Sequence, residues 1–251
     1  MDMNSADNFF DPKILKRIRD KGIHLDTSKI QKDRDKREKE NSMKFTKEYL
    51  NGDRSDIFKN SLIGNKESLK QTFDDFQVMN DKQNKELEQA TNIAARIANG
   101  EKHKFIFYGK PGTGKTMLAI SILNKLKSDY SCLFVDIAMF IELTKNFKDE
   151  RAKLQVNSLY KAMSNADVLV LDDIGSESSM QRKATEASTY NQRILFNIAQ
   201  SRDEKTTIIT TNNSGAELNQ IYNKKLISKL MNTDKQNVIS FDSEDYRRNK
   251  N

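Results

Sequence analysis

Eight residues near the middle of the chain, GKPGTGKT at 109–116, follow the pattern G-x-x-x-x-G-K-[ST]. The run FIFY at 105–108 precedes them, and it is continuous and apolar, as in a buried strand. The segment that follows, at 117–130, places Leu118, Ile122 and Leu126 on one helical stripe. The sequence therefore predicts a strand, a glycine-rich loop and a helix in direct succession, which points to an α/β fold.

The residue types of this octet suit the binding of phosphate groups. Glycine lets the backbone N–H groups and the start of a helix approach phosphate oxygens closely. In such a loop, Lys115 reaches the terminal phosphates, and Thr116 offers a hydroxyl to a magnesium ion. We therefore expect ATP and Mg²⁺ as cofactors. The predicted nucleotide-binding residues are Gly109, Lys110, Pro111, Gly112, Thr113, Gly114, Lys115, Thr116 and Met117.

Four further apolar runs extend the pattern after this helix. They are CLFVDI at 132–137, VLVLDDI at 168–174, TTIITT at 206–211 and, as the candidate fifth strand, VISF at 238–241. Helical stretches lie between them, such as 186–200, and another helix, capped by Asn80 or Asp81 and stopped by Gly100, precedes the first strand. Continuous apolar strands that alternate with helices predict a parallel five-stranded sheet with helices on both faces.

Polar residues end two of these strands. Asp172 follows a fully apolar run, where burial of a carboxylate without a partner would cost free energy. We therefore predict that Asp172 and Thr116 together hold the magnesium ion. Asp173 is the candidate for polarising the attacking water, with turn capping as the alternative. Many such ATPases carry a glutamate there, and the shorter aspartate predicts slow hydrolysis. Asn212 is the candidate for holding that water or sensing the terminal phosphate.

The first 62 residues differ in character from the rest. Phe10, Ile14 and Ile18 recur at a spacing of four, as in a short amphipathic helix. The run QKDRDKREKE at 31–40 has nine charged residues of mixed sign, which is typical of a solvated helix or linker. We expect a mostly helical or flexible N-terminal docking extension at 1–62, with a flexible leader as the alternative, and an ATP-binding domain at 63–251.

Charge and hydropathy bear on partners and location. The chain of 251 residues has 43 basic and 36 acidic side chains, a balance compatible with a polyanionic partner. Its longest apolar stretch, at 133–143, is too short for a membrane span and contains Asp136 and Glu142. The single cysteine, Cys132, excludes an internal disulfide and is expected to lie buried in a strand. We expect a cytoplasmic protein without membrane contact.

Several motifs together resemble one family. GKPGTGKT, VLVLDDIGSE, IITTNN and DYRR, in that order and spacing, are similar to the AAA+ ATPases of the bacterial helicase-loader group, DnaC and DnaI, and to the IstB transposition helpers. TFDDF at 72–76 also looks like the segment that opens the ATPase domain in this family. The resemblance covers about residues 65–250.

The resemblance implies an ATP switch that assembles side by side with a second subunit, as a nucleotide-dependent homo-oligomer. Asn212 would match the first sensor and Arg247 the second, with Arg248 as the less favoured substitute. Lys229 stands where the family carries an arginine finger that acts on the neighbouring subunit; a plain surface lysine is the alternative. Because lysine lacks the planar fork of arginine, it would stabilise the transition state less well.

The implied function is ATP-driven delivery of a hexameric replicative DNA helicase to single-stranded DNA, with the helicase bound by the N-terminal extension. DnaI-type loaders use a zinc site in that region, and this chain lacks the cysteines for one. Sequence-independent DNA contact is expected after the second strand. The candidates there are Lys145, Lys148, Arg151 and Lys153 for phosphates and Phe147 or Tyr160 for stacking, and an ordinary exposed helix face is the alternative.

Two other functions fit the same motifs. An IstB-like transposition helper ATPase would act on duplex DNA with a transposase. An adaptor with little hydrolysis would use ATP as a structural ligand, which Asp173 and Lys229 favour.

Overall fold

The computed structural model describes residues 32–33, 35–40, 54, 58–145, 149–176 and 187–243. The chain divides into two units, Met1–Leu50 and Asn51–Asn251. In the first unit, residues 32–33 and 35–40 are helical and exposed, in keeping with the predicted solvated helix. The predicted helix around Phe10 to Ile18 lies outside the described residues.

The second unit contains the predicted sheet. Its strands are β1 (Lys104–Gly109), β2 (Cys132–Asp136), β3 (Val168–Asp172), β4 (Thr206–Thr211) and β5 (Val238–Phe241). Every neighbouring pair is parallel, and the order across the sheet is β2-β3-β4-β1-β5. The prediction of a parallel five-stranded sheet, including its candidate fifth strand, is confirmed.

The helices follow the predicted alternation. They are α1 (Asp81–Ala98), α2 (Lys115–Leu126), α3 (Ile137–Lys145), α4 (Glu150–Asn165), α5 (Thr189–Gln200), α6 (Gly215–Ile221) and α7 (Lys224–Met231). Asn80 caps α1, since its side chain accepts a hydrogen bond from the backbone N–H of Gln83. The bounds of two predicted helices were wrong. The predicted helix at 117–130 spans Lys115–Leu126, and α5 begins at Thr189 because Ser188 caps it.

Alternate residues of β2, β3 and β4 face two separate hydrophobic cores, as expected for strands buried on both sides. In β3, Val168 and Val170 pack with α1 and α2, whereas Leu169 and Leu171 pack with the helices that follow β2. Cys132 is fully buried in β2, as predicted, and burial raises the pKa of its thiol to about 12. No helix in the described part of the chain is both long and apolar enough to cross a bilayer.

The chain enters the sheet along the edge strand β2. The backbone N–H of Leu62 donates to the carbonyl of Phe134 at 2.8 Å, and the carbonyl of Leu62 accepts from the N–H of Asp136 at 2.9 Å. The Ser61 hydroxyl accepts a further hydrogen bond from the N–H of Phe134 at 3.0 Å. The backbone pairing with the sheet thus includes Leu62, the residue before the predicted domain start at residue 63.

Candidate functional site

The loop between β1 and α2 has a backbone that glycine makes possible. Gly109, Gly112 and Gly114 have φ angles of 138°, 79° and 96°, in the region that L side chains rarely adopt. A Cβ atom on Gly109 would lie 2.2 Å from the carbonyl oxygen of Phe241, and one on Gly114 would lie 2.5 Å from the ring of Phe76. The loop therefore forms a tight cradle in which these positions cannot carry side chains without rearrangement.

Lys115 places a buried charge in this cradle. Its side chain is 6% exposed, and Nζ donates to the carbonyls of Gly109 at 2.8 Å and Lys110 at 2.6 Å. Thr113 braces the loop, because its hydroxyl donates to the carbonyl of Lys110 at 2.9 Å. Gly114 caps α2 and presents no side chain to the start of the helix, a location where backbone N–H groups can bind an anion. An ammonium and a helix start that face one cradle fit the polyphosphate of a nucleotide.

Asp172, at the end of β3, meets Thr116 at the start of α2. The Thr116 hydroxyl donates to Oδ1 of Asp172 at 2.9 Å, and the Thr210 hydroxyl donates to the same oxygen at 2.6 Å. Burial raises the pKa of Asp172 to about 6, although these two hydrogen bonds lower it. A carboxylate beside a hydroxyl provides the hard oxygen ligands that Mg²⁺ prefers, so Thr116 and Asp172 fit the predicted metal site.

Asp173 adopts a left-handed backbone with φ of 58°. Its N–H donates to the Thr210 hydroxyl at 2.9 Å, and its Oδ1 accepts from Nδ2 of Asn212 at 2.7 Å. Burial raises the pKa of Asp173, and the positive charge of Lys115 opposes that rise. The predicted pair Asp173 and Asn212 thus lies together beside the phosphate cradle.

Sequence reasoning missed two polar residues at this edge of the sheet. Asp136 ends β2 in register with Asp172, and its negative charge raises the pKa of both Asp172 and Asp173. Thr210 contacts both of those aspartates. For Asp136 the available signal was its position at the end of a strand, because the carboxyl ends of adjacent parallel strands meet at one edge.

Lys229, the predicted finger residue, lies away from this cluster. Lys229, on α7, forms an ion pair with Asp203, and both lie close enough to Lys104 to perturb its pKa. Lys104 begins β1, whereas the loop leaves the other end of that six-residue strand, about 17 Å away at ~3.3 Å per residue. Lys229 therefore cannot reach the loop of its own chain. Arg247 lies outside the described residues.

The candidate DNA-contacting residues are spread over α3 and α4. Lys145 pairs with Glu142 at 3.3 Å, and Lys153 pairs with Glu150 at 2.5 Å. Phe147 and Lys148 lie outside the described residues. Tyr160 is half-buried and packs edge-on against Phe140 with ring centroids 5.0 Å apart, so part of its ring is engaged in the core, and its role in stacking stays a prediction.

Arg151, the other candidate, is exposed at the start of α4. Among the described candidates it is the cation without an ion pair to a neighbouring glutamate, which suits it to a phosphate contact.

Comparison with known proteins decides the family. The model of the ATPase family associated with various cellular activities (AAA) matches residues 105–234, just over half of the chain, from the second residue of β1 to beyond α7. The chain belongs to this AAA family. The matched region contains the cradle, Asp172, Asp173 and Asn212.

Within this family, the chain is similar to bacterial helicase loaders. It is 29% identical to the replicative helicase loader DnaC of Escherichia coli K12 over 136 residues, which cover 53% of this chain and 51% of DnaC. It therefore spans about half the length of this relative. A crystal structure of the DnaC helicase loader aligns with a TM-score of 0.57 and 25% identity, over 70% of this chain and 99% of the other.

A crystal structure of DnaI shares the fold, with a TM-score of 0.57 and 23% identity over 74% of this chain and 96% of that one.

Proposed function

We propose that this AAA-family chain binds and slowly hydrolyses ATP and uses the cycle to deliver a hexameric replicative helicase to single-stranded DNA. The observation that carries the proposal is the Thr116–Asp172 contact beside the buried Lys115, in a domain similar to DnaC. This arrangement suits a nucleoside triphosphate, because a cation and helix N–H groups face the phosphates while hydroxyl and carboxylate oxygens face a metal ion.

Each residue of the site would have its own role in ATP hydrolysis. Lys115 and the loop N–H groups would bind and orient the phosphates, and Thr116 and Asp172 would hold Mg²⁺. The bound metal offsets the negative charge that develops on the transferred phosphoryl group. Asp173 is the candidate base for the attacking water, and Asn212 holds its carboxylate in place. Lys229, if it acts, acts on the nucleotide of a neighbouring copy.

The partners are also proposals. The similarity to proteins named replicative helicase loaders supports a replicative helicase as the cargo, with the N-terminal extension, residues 1–62, as its docking element. Single-stranded DNA would be bound without base specificity through exposed cations such as Arg151. A side-by-side homo-oligomer that forms with ATP would bring Lys229 to a second site.

The test combines binding and turnover. The full chain, mixed with a hexameric bacterial replicative helicase, ATP and Mg²⁺, should elute as one complex in size-exclusion chromatography with light scattering. A deletion of residues 1–50, which removes the whole first unit, should lose that complex and keep ATP turnover. Turnover equal to that of a Lys115→Ala variant would contradict the ATPase proposal. A complex that survives the deletion would contradict docking through the extension.

One specific arrangement favours a second candidate, an adaptor that binds ATP with little hydrolysis. Asp173 is held by Asn212, and Lys229 is held by Asp203. Both side chains that would accelerate hydrolysis thus already form contacts with other side chains of the same chain. Wild-type turnover no higher than that of an Asp173→Asn variant, together with an ATP-dependent complex, would support the adaptor.

A further inference from the structure

Thr210 occupies an unusual position in β4. Its side chain is 1% exposed, and its hydroxyl lies between two consecutive residues of the neighbouring strand end. Oγ1 lies 2.6 Å from Oδ1 of Asp172 and 2.9 Å from the backbone nitrogen of Asp173. Because a carboxylate can only accept and an N–H can only donate, the hydroxyl proton must point to Asp172, and its lone pair must point to Asp173.

This geometry restrains both aspartates through one group. Oδ1 of Asp172 accepts from Thr116 and Thr210 together, which fixes the plane in which its carboxylate can lie. Oδ2 takes part in no hydrogen bond with the described residues, so the two hydroxyls leave that oxygen for another partner. The bond from the N–H of Asp173 supports a left-handed backbone that is costly for a residue other than glycine.

We propose that Thr210 is a positioning residue of the ATPase site. Its hydroxyl orients the Asp172 carboxylate towards the magnesium position and fixes the backbone from which the Asp173 carboxylate extends. The inference rests on the proposed ATPase function. Residues that orient metal ligands in this way change metal affinity by about 10- to 100-fold when they are replaced.

The other threonines of β4 provide matched controls. The Thr211 hydroxyl donates to the carbonyl of Ile174, and the Thr206 hydroxyl, at the other end of the strand, faces the carbonyl of Glu101 at 3.4 Å. Thr206 is 3% exposed, so it is buried like Thr210 and remote from the aspartates. Valine preserves the shape and the β-branched character of threonine at either position.

The experiment compares full-length Thr210→Val, Thr210→Ser and Thr206→Val with the wild-type protein. The magnesium concentration for half-maximal ATP turnover should rise about tenfold or more in Thr210→Val. In Thr210→Ser, which keeps the hydroxyl, this magnesium concentration should stay within about threefold of the wild-type value, and in Thr206→Val it should match wild type. Affinity for a fluorescent ATP analogue in EDTA should be unchanged, because the phosphate cradle is intact.

An unchanged magnesium requirement in a folded Thr210→Val variant would overturn the proposal. If valine prevents folding, Thr210→Ala takes its place, since it removes the same hydroxyl and places no methyl group between Asp172 and the N–H of Asp173. If the wild-type protein shows no turnover, the ATPase proposal fails by itself. Magnesium dependence of analogue binding then still tests the orientation of Asp172 by Thr210, and equal dependence in wild type and variant would overturn it.

Discussion

The side-chain amide of Asn212 donates a hydrogen bond to Oδ1 of Asp173 at 2.7 Å, across the gap between the ends of β4 and β3. The contact joins the residue predicted to sense the terminal phosphate to the residue predicted to activate water. Under the proposed function, Asn212 would act on the nucleotide through Asp173 as well as directly.

We predict that Asp173→Asn abolishes turnover and preserves ATP binding. Asparagine tolerates the left-handed backbone at this position and keeps an oxygen for Asn212, but it cannot accept a proton. Turnover should fall about 100-fold or more, and the dissociation constant for ATP should stay within about threefold of the wild-type value. Steady-state phosphate release and fluorescent-nucleotide titration would measure the two quantities. Turnover within a few-fold of wild type would assign Asp173 to turn capping instead.

Lys229 should affect turnover only in an assembled state. Because Lys229 pairs with Asp203 near the start of β1, Lys229→Ala should leave the ATP affinity of the monomer unchanged. Lys229→Arg should raise turnover at concentrations at which the protein assembles, since the planar guanidinium can bind a phosphate in bidentate fashion. Turnover measured over a range of protein concentrations distinguishes the monomer from the assembled protein. Identical curves for wild type, alanine and arginine would identify Lys229 as a surface lysine.

Arg202 should be a major source of stability. Its side chain is 1% exposed and donates to the carbonyls of Met163, Ala166, Asp167 and Thr206 and to the hydroxyl of Thr207. Arg202→Met would leave several buried carbonyls without a donor, at about 1–3 kcal/mol each. The free energy of urea unfolding should therefore fall by about 3 kcal/mol or more.

The control for Arg202 is Arg193→Met, which removes an exposed arginine from the same region of the chain. Its unfolding free energy should stay within about 0.5 kcal/mol of wild type. Equal losses in both variants would show that the buried hydrogen bonds contribute no specific stability.

Glu86 should make stability depend on pH. Its carboxylate, which is 3% exposed, accepts from the hydroxyl and the N–H of Ser243, and burial raises its pKa above the ordinary value of 4.5. A carboxyl with a raised pKa in the folded state stabilises most when it is protonated, below its pKa in the unfolded chain. That contribution is lost as pH rises through the folded-state pKa.

Glu86→Gln removes this titration. The free energy of unfolding of the variant, relative to wild type, should increase between pH 4 and pH 7, as measured by urea unfolding at each pH. Glu88→Gln, an exposed substitution on the same helix, should follow the wild-type curve. A Glu86→Gln curve parallel to wild type would contradict the raised pKa.

The octet and the aspartate pair were predictable because residue type and neighbouring sequence are enough to identify them. Gly109 to Thr116 run from the end of a strand into the start of a helix, and Asp172 ends an apolar run, so each position follows from residue type and neighbours. Burial on both faces was predictable for the same reason, because β3 is apolar at every position before its aspartate.

The contact of Thr210 with Asp172 and the location of Lys229 could not be predicted from the local sequence. Four of the six residues of β4 are threonine, and all four are buried, so the sequence does not distinguish the one whose hydroxyl meets Asp172. That choice depends on β4 lying next to β3, which is a property of strand order. The location of Lys229 depends likewise on α7 ending near the start of β1 rather than near its loop.

The pairing of Leu62 with the edge strand β2 sets the safe limit for shortening this protein. The N–H of Asp136 and the carbonyl of Phe134 are both occupied by Leu62. A truncation that removes Leu62 would expose those groups to solvent. A strand of another molecule could then pair with the exposed edge of β2. Aggregation of such a fragment would then be an artefact of an unprotected sheet edge, distinct from any assembly driven by nucleotide.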